Sequence, residues 1–446
     1  MKFLNKQFTQ ETLKLALPVM LTQVGQVSVN LFDNIIVGKL LGAKALAAVS
    51  LGNAMFFSIF IFGLGFSLAI PPLVSEAHSQ HDHNRINSIF RHGFVVNIIL
   101  AFVLMLLIFG IIPLMPYLNQ PKEILPDTIT FLSIVTLSII PFMIFQTMRE
   151  VSEGLSFTIG VTKATIFANV INVILNYVFI EHFKMGVAGS AWATFIARVA
   201  MMVFLYYVLI KEEKTRRYIK DFSLKIKDFS KEMFEKLIRL GFPTALQLFF
   251  EVTAFAGAAF ICGLISAKDI AAHQIALSMA SFTFNLCVGF SVASTVMIGR
   301  KLGEKDFVNL EKVGFNNLKI AFIFMLMCGL VFILGKDVLP TFFTKKEDIA
   351  VVELASQLMI IAALFQLSDG IQVTALGCLR GIQDVKIPSI LTFIAYWVIT
   401  IPLGYYLTVP MKMGAFGMWI ALGIGLTISA VLLVIRFRNL SEKRIK

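Results

Sequence analysis

Gly65-Phe66-Ser67-Leu68-Ala69 returns as Gly289-Phe290-Ser291-Val292-Ala293, 224 positions later. Two further echoes keep nearly the same offset. Pro18 and Pro243, each early in an apolar run, stand 225 apart, and Gly186-x-x-Gly189-x-x-x-Ala193 recurs as Gly414-x-x-Gly417-x-x-x-Ala421. The chain is therefore expected to hold two halves of one architecture. Both copies of the first motif lie in apolar blocks of at least roughly 20 residues, the length of helix that crosses about 30 Å of hydrocarbon.

Such blocks fill most of the 446 residues. Hydrophobic residues make up 57% of the chain and charged ones only 15%, against roughly 25% charged in ordinary soluble domains. The bilayer is the solvent. Spans are placed near 12–37, 45–72, 88–112, 128–148, 158–180, 187–210, 239–264, 270–297, 314–335, 350–378, 386–408 and 413–437. With six spans per half, the second half enters the membrane in the same sense as the first. The repeat must then be parallel, about an axis along the membrane normal, with a cavity between the lobes. The expected fold class is an all-α membrane protein of twelve transmembrane helices in two six-helix lobes. Residues 1–210 form the first lobe, 211–236 a cytoplasmic linker and 237–446 the second lobe.

The net charge of +12 raises the question of nucleic acid, but its distribution answers otherwise. With both termini on one side, that face carries 29 Lys and Arg residues, the opposite face nine, and Arg198 lies within a span. By the positive-inside rule both termini are cytoplasmic, in a multi-pass protein of the inner membrane. The N-terminus lacks a small-residue cleavage site and reads as the lead into the first span. The linker Lys211–Lys236 mixes nine cations with six acids and spaces Phe222, Leu224, Ile226 and Phe229 among them. Part of it is expected to lie on the membrane surface as an amphipathic helix. Cys262, Cys287, Cys328 and Cys378 fall singly in apolar spans and read as small hydrophobes.

Ionisable groups inside spans carry the functional information. An Asp at the centre of a spanning helix costs roughly 2.5–3.5 kcal/mol, so three uncompensated acids would cost on the order of 8–10 kcal/mol. Asp33 in the first span ends a stripe of Gln23, Gln26, Asn30 and Asp33 on one helix face. The fifth span offers Thr165, Asn169, Asn172 and Asn176, and the sixth Ser190, Thr194 and Arg198. One carboxylate among amide and hydroxyl oxygens suits a small hard cation such as sodium, or a proton on the acid. The alternatives are interhelical hydrogen bonding and a pairing of Arg198 with Asp33.

Glu251 in the seventh span follows Gln247 by one turn, and Asp369 in the tenth is flanked by Gln366 and Gln372. The eighth span aligns Gln274, Ser278, Ser281 and Asn285 along one face. With no lysine or arginine obvious in the same spans, these acids hold a cation or carry a proton. Phe284 is placed as a cation–π wall facing them. His78, His81 and His83 fall in a short polar loop and read as solvated. Pro18 and Pro243 are expected to kink their helices. No phosphate-binding loop, HExxH pair or GxSxG elbow occurs, so neither ATP drive nor enzymatic chemistry is expected, and no cofactor.

Several stretches resemble the multidrug and toxic compound extrusion family in its NorM-like branch. They are Phe32-Asp33-Asn34, Phe242-Pro243-Thr244 through Phe250-Glu251-Val252-Thr253, Ala271-Ala272-His273-Gln274-Ile275-Ala276-Leu277, Gln366 through Val373, Ala375 through Gly381, and Ile394-Ala395-Tyr396-Trp397. The resemblance runs from end to end. It implies export of small organic cations, often aromatic, in exchange for inward Na+ (favoured) or H+. It assigns Asp33 to a cation site of the first lobe with Asn172, Asn176 and Thr194 nearby. It assigns Glu251 and Asp369 to a second-lobe site with Phe284 close by. Gln26, Asn30, Gln247, Gln274 and Gln366 are candidates for the substrate cavity, and a monomer is expected. The alternative function is a lipid-linked sugar flippase of the same superfamily. Its anionic headgroup would favour several arginines, where the spans hold acids and Arg198.

Overall fold

The apolar blocks are helices, and no strand occurs among the described residues. The computed structural model describes residues 4–117, 121–225, 228–343 and 349–445. Ile226, named above, lies outside the described residues. The first half runs through α1 (Lys6–Leu41), α2 (Ala43–Ser67), α3 (Ile70–Ser79), α4 (His83–Ile111), α5 (Leu125–Leu137), α6 (Ile139–Gly154), α7 (Ile159–Tyr177) and α8 (Gly186–Lys211). A short α9 (Glu213–Lys220) leads to α10 (Lys231–Gly263), α11 (Ala267–Gly303), α12 (Phe307–Leu334) and α13 (Ile349–Gly381). The chain closes with α14 (Lys386–Phe393), α15 (Ile401–Thr408) and α16 (Gly414–Ile445).

Eleven described helical stretches are long and apolar enough to cross a membrane, and the bent pair α5–α6 makes a twelfth. The sequence places one span at 128–148. The structure extends it to both sides and bends it by 42° at Ser138. Pro141, in the first turn of α6, has no N–H to carry the ladder across the break.

The repeat is written into the backbone. Left-handed residues recur in pairs: His81 and Lys305 (φ 56° each), Ser156 (66°) and Gln383 (64°), Lys184 (53°) and Lys412 (55°), Gly186 and Gly414 (58° each). Positive φ is uncommon for residues other than glycine, so pairs spaced 224 to 228 apart mark matched loops. At the first pair, Asp82 N–H reaches Ala77 C=O at 3.0 Å, and Asp306 N–H reaches Lys301 C=O at 3.0 Å. Each aspartate then caps the next helix, accepting from Arg85 N–H at 2.9 Å and Asn309 N–H at 3.2 Å. One residue thus closes a helix and opens its successor.

The chain divides into two compact units, Leu21–Ala245 and Met1–Met20 with Leu246–Lys446. The cuts fall inside α1 and α10, each two residues after its proline, and not in the segment 211–236. Both helices continue unbroken through Pro18 and Pro243. The motif that reveals the repeat explains the partition. A Cβ on Gly65 would sit 2.6 Å from Ala245 Cα, and one on Gly289 would sit 2.8 Å from the Ala16 carbonyl oxygen. Only glycine lets α10 approach α2, and α1 approach α11, this closely. The lead of α1 is tied further by Thr12 Oγ1 donating to Asn317 Oδ1 at 2.6 Å and by an Arg300–Glu11 ion pair at 2.7 Å.

The linker departs from the amphipathic helix expected of it. Among the described residues between α8 and α10 the α-helical stretch is α9, and Phe222, Leu224 and Phe229 lie beyond its end. Phe222 packs on Phe90 and Phe94 at 4.9 and 5.2 Å, and Phe229 packs on His92 at 5.1 Å. Arg91 pairs with Asp228 at 2.9 Å, and Ser230 N–H donates to His92 Nε2 at 2.8 Å. His83 Nδ1 meets the Tyr218 hydroxyl at 2.8 Å, and burial pushes that phenol up from its ordinary pKa. The aromatic residues find protein to cover them, so the linker is a strap across the start of α4.

Candidate functional site

The Leu21–Ala245 unit encloses a cavity of about 440 Å³. Its wall includes Gln26, Asn30 and Asp33 from α1, Thr165, Asn169 and Asn172 from α7, and Thr194 and Arg198 from α8. The polar stripes of three apolar helices thus face one space. Asn176 lies just behind: its Nδ2 donates to Asp33 Oδ1 at 2.5 Å and reaches Asn172 Oδ1 at 3.4 Å. Asn169 Nδ2 donates to the Gly25 carbonyl at 2.9 Å, fixing α7 against α1.

Arg198 does not form an ion pair with Asp33. Its Nη1 donates to Ser138 Oγ at 2.6 Å, and its guanidinium lies 4.7 Å from the Phe56 ring centroid and 5.2 Å from that of Phe142. No Lys, Arg or His nitrogen comes within 4.0 Å of Asp33 among the described residues. A buried carboxylate with one strong donor keeps spare lone pairs. Beside it, Asn176 Oδ1 is buried without a hydrogen-bond partner. Oxygen acceptors of this kind fit a hard cation.

In the second-half unit, α10 and α13 bury Glu251 (7% exposed) and Asp369 (4% exposed). Glu251 Oε1 receives only long contacts, from Gln372 Nε2 at 3.4 Å and Tyr396 Oη at 3.5 Å. The tyrosine hydroxyl has a better acceptor in Gln372 Oε1 at 3.1 Å, and one proton cannot serve both. Asp369 has no hydrogen bond or ion pair among the described residues. No basic nitrogen lies within 4.0 Å of either acid among them. Arg380, further along α13, acts on Glu251 through space and donates to Ser291 Oγ at 3.1 Å and to the Leu376 carbonyl at 3.3 Å. Two buried carboxylates with no basic nitrogen in contact are costly as bare anions, and a bound cation or a proton would compensate them.

Other expected members are placed differently. Gln247 is buried, as is Gln366, but Gln366 Nε2 donates to Thr283 Oγ1 at 2.5 Å on α11. Gln274, Ser278 and Ser281 are exposed on the unit's surface. Ser278 Oγ and Asn285 Nδ2 bond carbonyls of their own helix, those of Gln274 and Ser281. Two of the four side chains of that stripe are thus engaged on their own helix. Phe284 is half-buried and packs on the apolar cluster around Cys287 and Phe290. Pairing with residues on other helices, which periodicity cannot show, brings in Tyr396 and Thr283. Ser50 and Asn53 join the first cavity from α2; their signal was a pair of polar side chains three apart in an apolar span. No three His, Cys, Asp or Glu side chains gather as a metal cluster among the described residues.

The profile of the MatE family matches residues 18–178 and 243–406, once in each half. The chain is 33% identical over 442 residues to the probable multidrug resistance protein NorM of Agrobacterium fabrum, spanning 98% of this chain and 94% of that one. It is 30% identical over 440 residues to the multidrug resistance protein MdtK of Yersinia pseudotuberculosis, spanning 97% and 95%. Solved folds agree. A MOP superfamily transporter from Pyrococcus furiosus superposes with a TM-score of 0.90 at 20% identity, over 98% of this chain and 97% of that one. The eukaryotic MATE transporter AtDTX14 gives 0.88 at 17%, over 98% of both. With both halves matched by the profile and nearly the whole length shared with named relatives, the chain belongs to the MatE family, the multidrug and toxic compound extrusion transporters.

Proposed function

We propose that this chain is a secondary active multidrug exporter that exchanges small organic cations for Na+, or for H+, by alternating access. The reading is supported by the names of its relatives, NorM and MdtK multidrug resistance proteins. The observation that carries it is the Glu251–Asp369 pair, both buried with no Lys, Arg or His nitrogen within 4.0 Å among the described residues. Such a pair is compensated by an exchangeable positive guest. Asp33 with Asn172, Asn176 and Thr194 forms a second acceptor site, and the oxygen-rich surroundings of all three acids favour Na+. Coupling requires that ion and drug disfavour one another by a reciprocal free energy of about 1–3 kcal/mol. The repeat-based lobes, residues 1–210 and 237–446, are the two bodies that exchange access. The 29-to-9 bias of Lys and Arg puts both termini in the cytoplasm, with the chain acting as a monomer in the inner membrane.

The test is export of ethidium from intact cells by Glu251→Gln and Asp369→Asn variants. Both are expected to lose export with membrane expression retained. Full export by both would remove the coupling role.

A further inference from the structure

Within the Leu21–Ala245 unit, the start of α7 packs beside the end of α8. Phe167 stacks on Phe204 with ring centroids 4.4 Å apart, and a Cβ on Gly160 would lie 3.1 Å from Val208 Cγ1. Lys163, exposed, stands on α7 between these two contacts and on the same helix face. The last turns of α8 expose Tyr206, Tyr207 and Lys211, and Lys211 Nζ lies 5.4 Å from the Tyr207 ring centroid. That ammonium is folded back along the spanning helix. Arg216 ties α9 to the same end, its Nε and Nη2 donating to the Ile210 and Lys211 carbonyls at 2.9 Å each. Lys214 is exposed in the first turn of α9.

We infer that the junction of α7, α8 and α9 is a binding site for an anionic phospholipid, whose phosphate is held by Lys163, Lys211 and Lys214. None of the three has an acidic oxygen within 4.0 Å among the described residues. Glu212 and Glu213, their neighbours in the chain, form no ion pair among those residues either. Topology calls for bases on this face, but it does not call for them to be left unpaired. At the end of α16, the counterpart of α8 in the second half, Arg436 pairs with Asp384 at 2.9 Å and Arg438 with Glu442 at 2.7 Å. The bases of α16 are answered by protein, whereas those of α8 stand beside exposed apolar helix faces. Ile166 and Phe167 on α7 and Val203 on α8 are exposed there and offer a track for an acyl chain. Tyr206 and Tyr207 supply the amphipathic rings that favour the headgroup level. Lysines next to the end of a spanning helix attract anionic lipid, and the aromatic and apolar surface beside these three adds the chain contacts that a free phosphate lacks.

Thermal melting of the purified full-length protein in a neutral detergent tests this, with three additives: dioleoylphosphatidylglycerol, dioleoylphosphatidylcholine and inorganic phosphate. Phosphatidylglycerol is expected to raise the wild-type melting temperature saturably, and the other two to have no such effect. Each of Lys163→Gln, Lys211→Gln and Lys214→Gln is expected to weaken the apparent affinity for phosphatidylglycerol about fivefold, and the three together about 100-fold. The corresponding triple arginine variant keeps the charge and should bind within about twofold of wild type. Arg438→Gln, at the paired counterpart on α16, should also bind as wild type does. Equal stabilisation by phosphatidylcholine or by inorganic phosphate would overturn the inference. So would wild-type affinity in the triple glutamine variant, or a loss in Arg438→Gln as large as in Lys211→Gln. No drug or ion gradient enters these measurements, so their outcome is separate from that of the exporter reading.

Discussion

Asn176 donates its side-chain amide N–H to Asp33, while the oxygen of the same amide is buried with no partner. The carboxylate is thus oriented by a neutral group in contact, while Arg198 acts on it only through space. A guest cation would find two kinds of oxygen beside each other. Replacing Asn176 with Ala removes the donor and the orphan oxygen together. A hydrogen bond to a charged group is worth about 1.5–3 kcal/mol, so ethidium efflux from cells is expected to fall roughly 10-fold or more, with normal expression. Efflux within about twofold of wild type would show that Asp33 does not need this partner.

Tyr396 and Gln372 form the rim around Glu251, with the tyrosine hydroxyl nearer to the amide oxygen than to the acid. The Tyr396→Phe variant keeps both carboxylates and loses the hydroxyl. The concentration of coupling cation giving half-maximal efflux is expected to shift about fivefold, the effect of one neutral hydrogen bond. The maximal rate should be largely retained. Initial rates measured against a cation series give the answer, and an unmoved half-maximum would exclude Tyr396 from the site.

Gly65 and Gly110 are both helical glycines, but they differ in what surrounds them. A Cβ at 65 would meet Ala245 Cα at 2.6 Å, whereas a Cβ at 110 would meet nothing within 4 Å. Gly65→Ala is expected to lower the melting temperature of the detergent-solubilised protein by several degrees, since overpacking costs about 1–3 kcal/mol. Gly110→Ala should leave it unchanged or raise it slightly. Similar behaviour of the two variants would contradict the close approach of α2 and α10.

His92 holds the linker through Nε2, which accepts from Ser230 N–H, while its Nδ1 lies 2.7 Å from the Ser88 carbonyl of its own helix. With Nε2 an acceptor, Nδ1 is the donor and the ring is neutral. His92→Ala combined with Arg91→Ala should free the strap, and trypsin should cut at Lys225 at least about tenfold faster than in wild type, as local opening governs such cleavage. Equal cleavage rates would mean that the aromatic contacts alone hold it.

Much of this architecture is legible in the residues, and the exceptions have physical causes. Asp33, Glu251 and Asp369 stand out because charge in hydrocarbon is costly, and the glycine motif exposes the repeat. Tyr396 stands in a stretch that carries the family resemblance but is not assigned to the site, because a tyrosine in a span is ordinary and because it sits in the π-helical turn Ile394–Thr400, where the 3.6-residue period fails. The stripe from Gln274 to Asn285 has the spacing of a site, but Ser278 and Asn285 bond carbonyls of their own helix, which spacing cannot reveal. In the linker, the pattern correctly marks aromatic residues that need covering, yet cannot say whether lipid or protein covers them. The position of the unit boundaries depends on a helix lying against a glycine more than 150 residues away in sequence, an approach visible only in three dimensions.

The central claim is that Glu251 and Asp369 exchange a positive guest during export. Proteoliposomes holding wild-type or Glu251→Gln protein should be loaded with ethidium, and an inward Na+ gradient imposed at equal pH, then a pH gradient without Na+. Wild-type efflux is expected to accelerate under the Na+ gradient, and Glu251→Gln to respond to neither. Acceleration of the variant equal to that of wild type under either gradient would contradict the account.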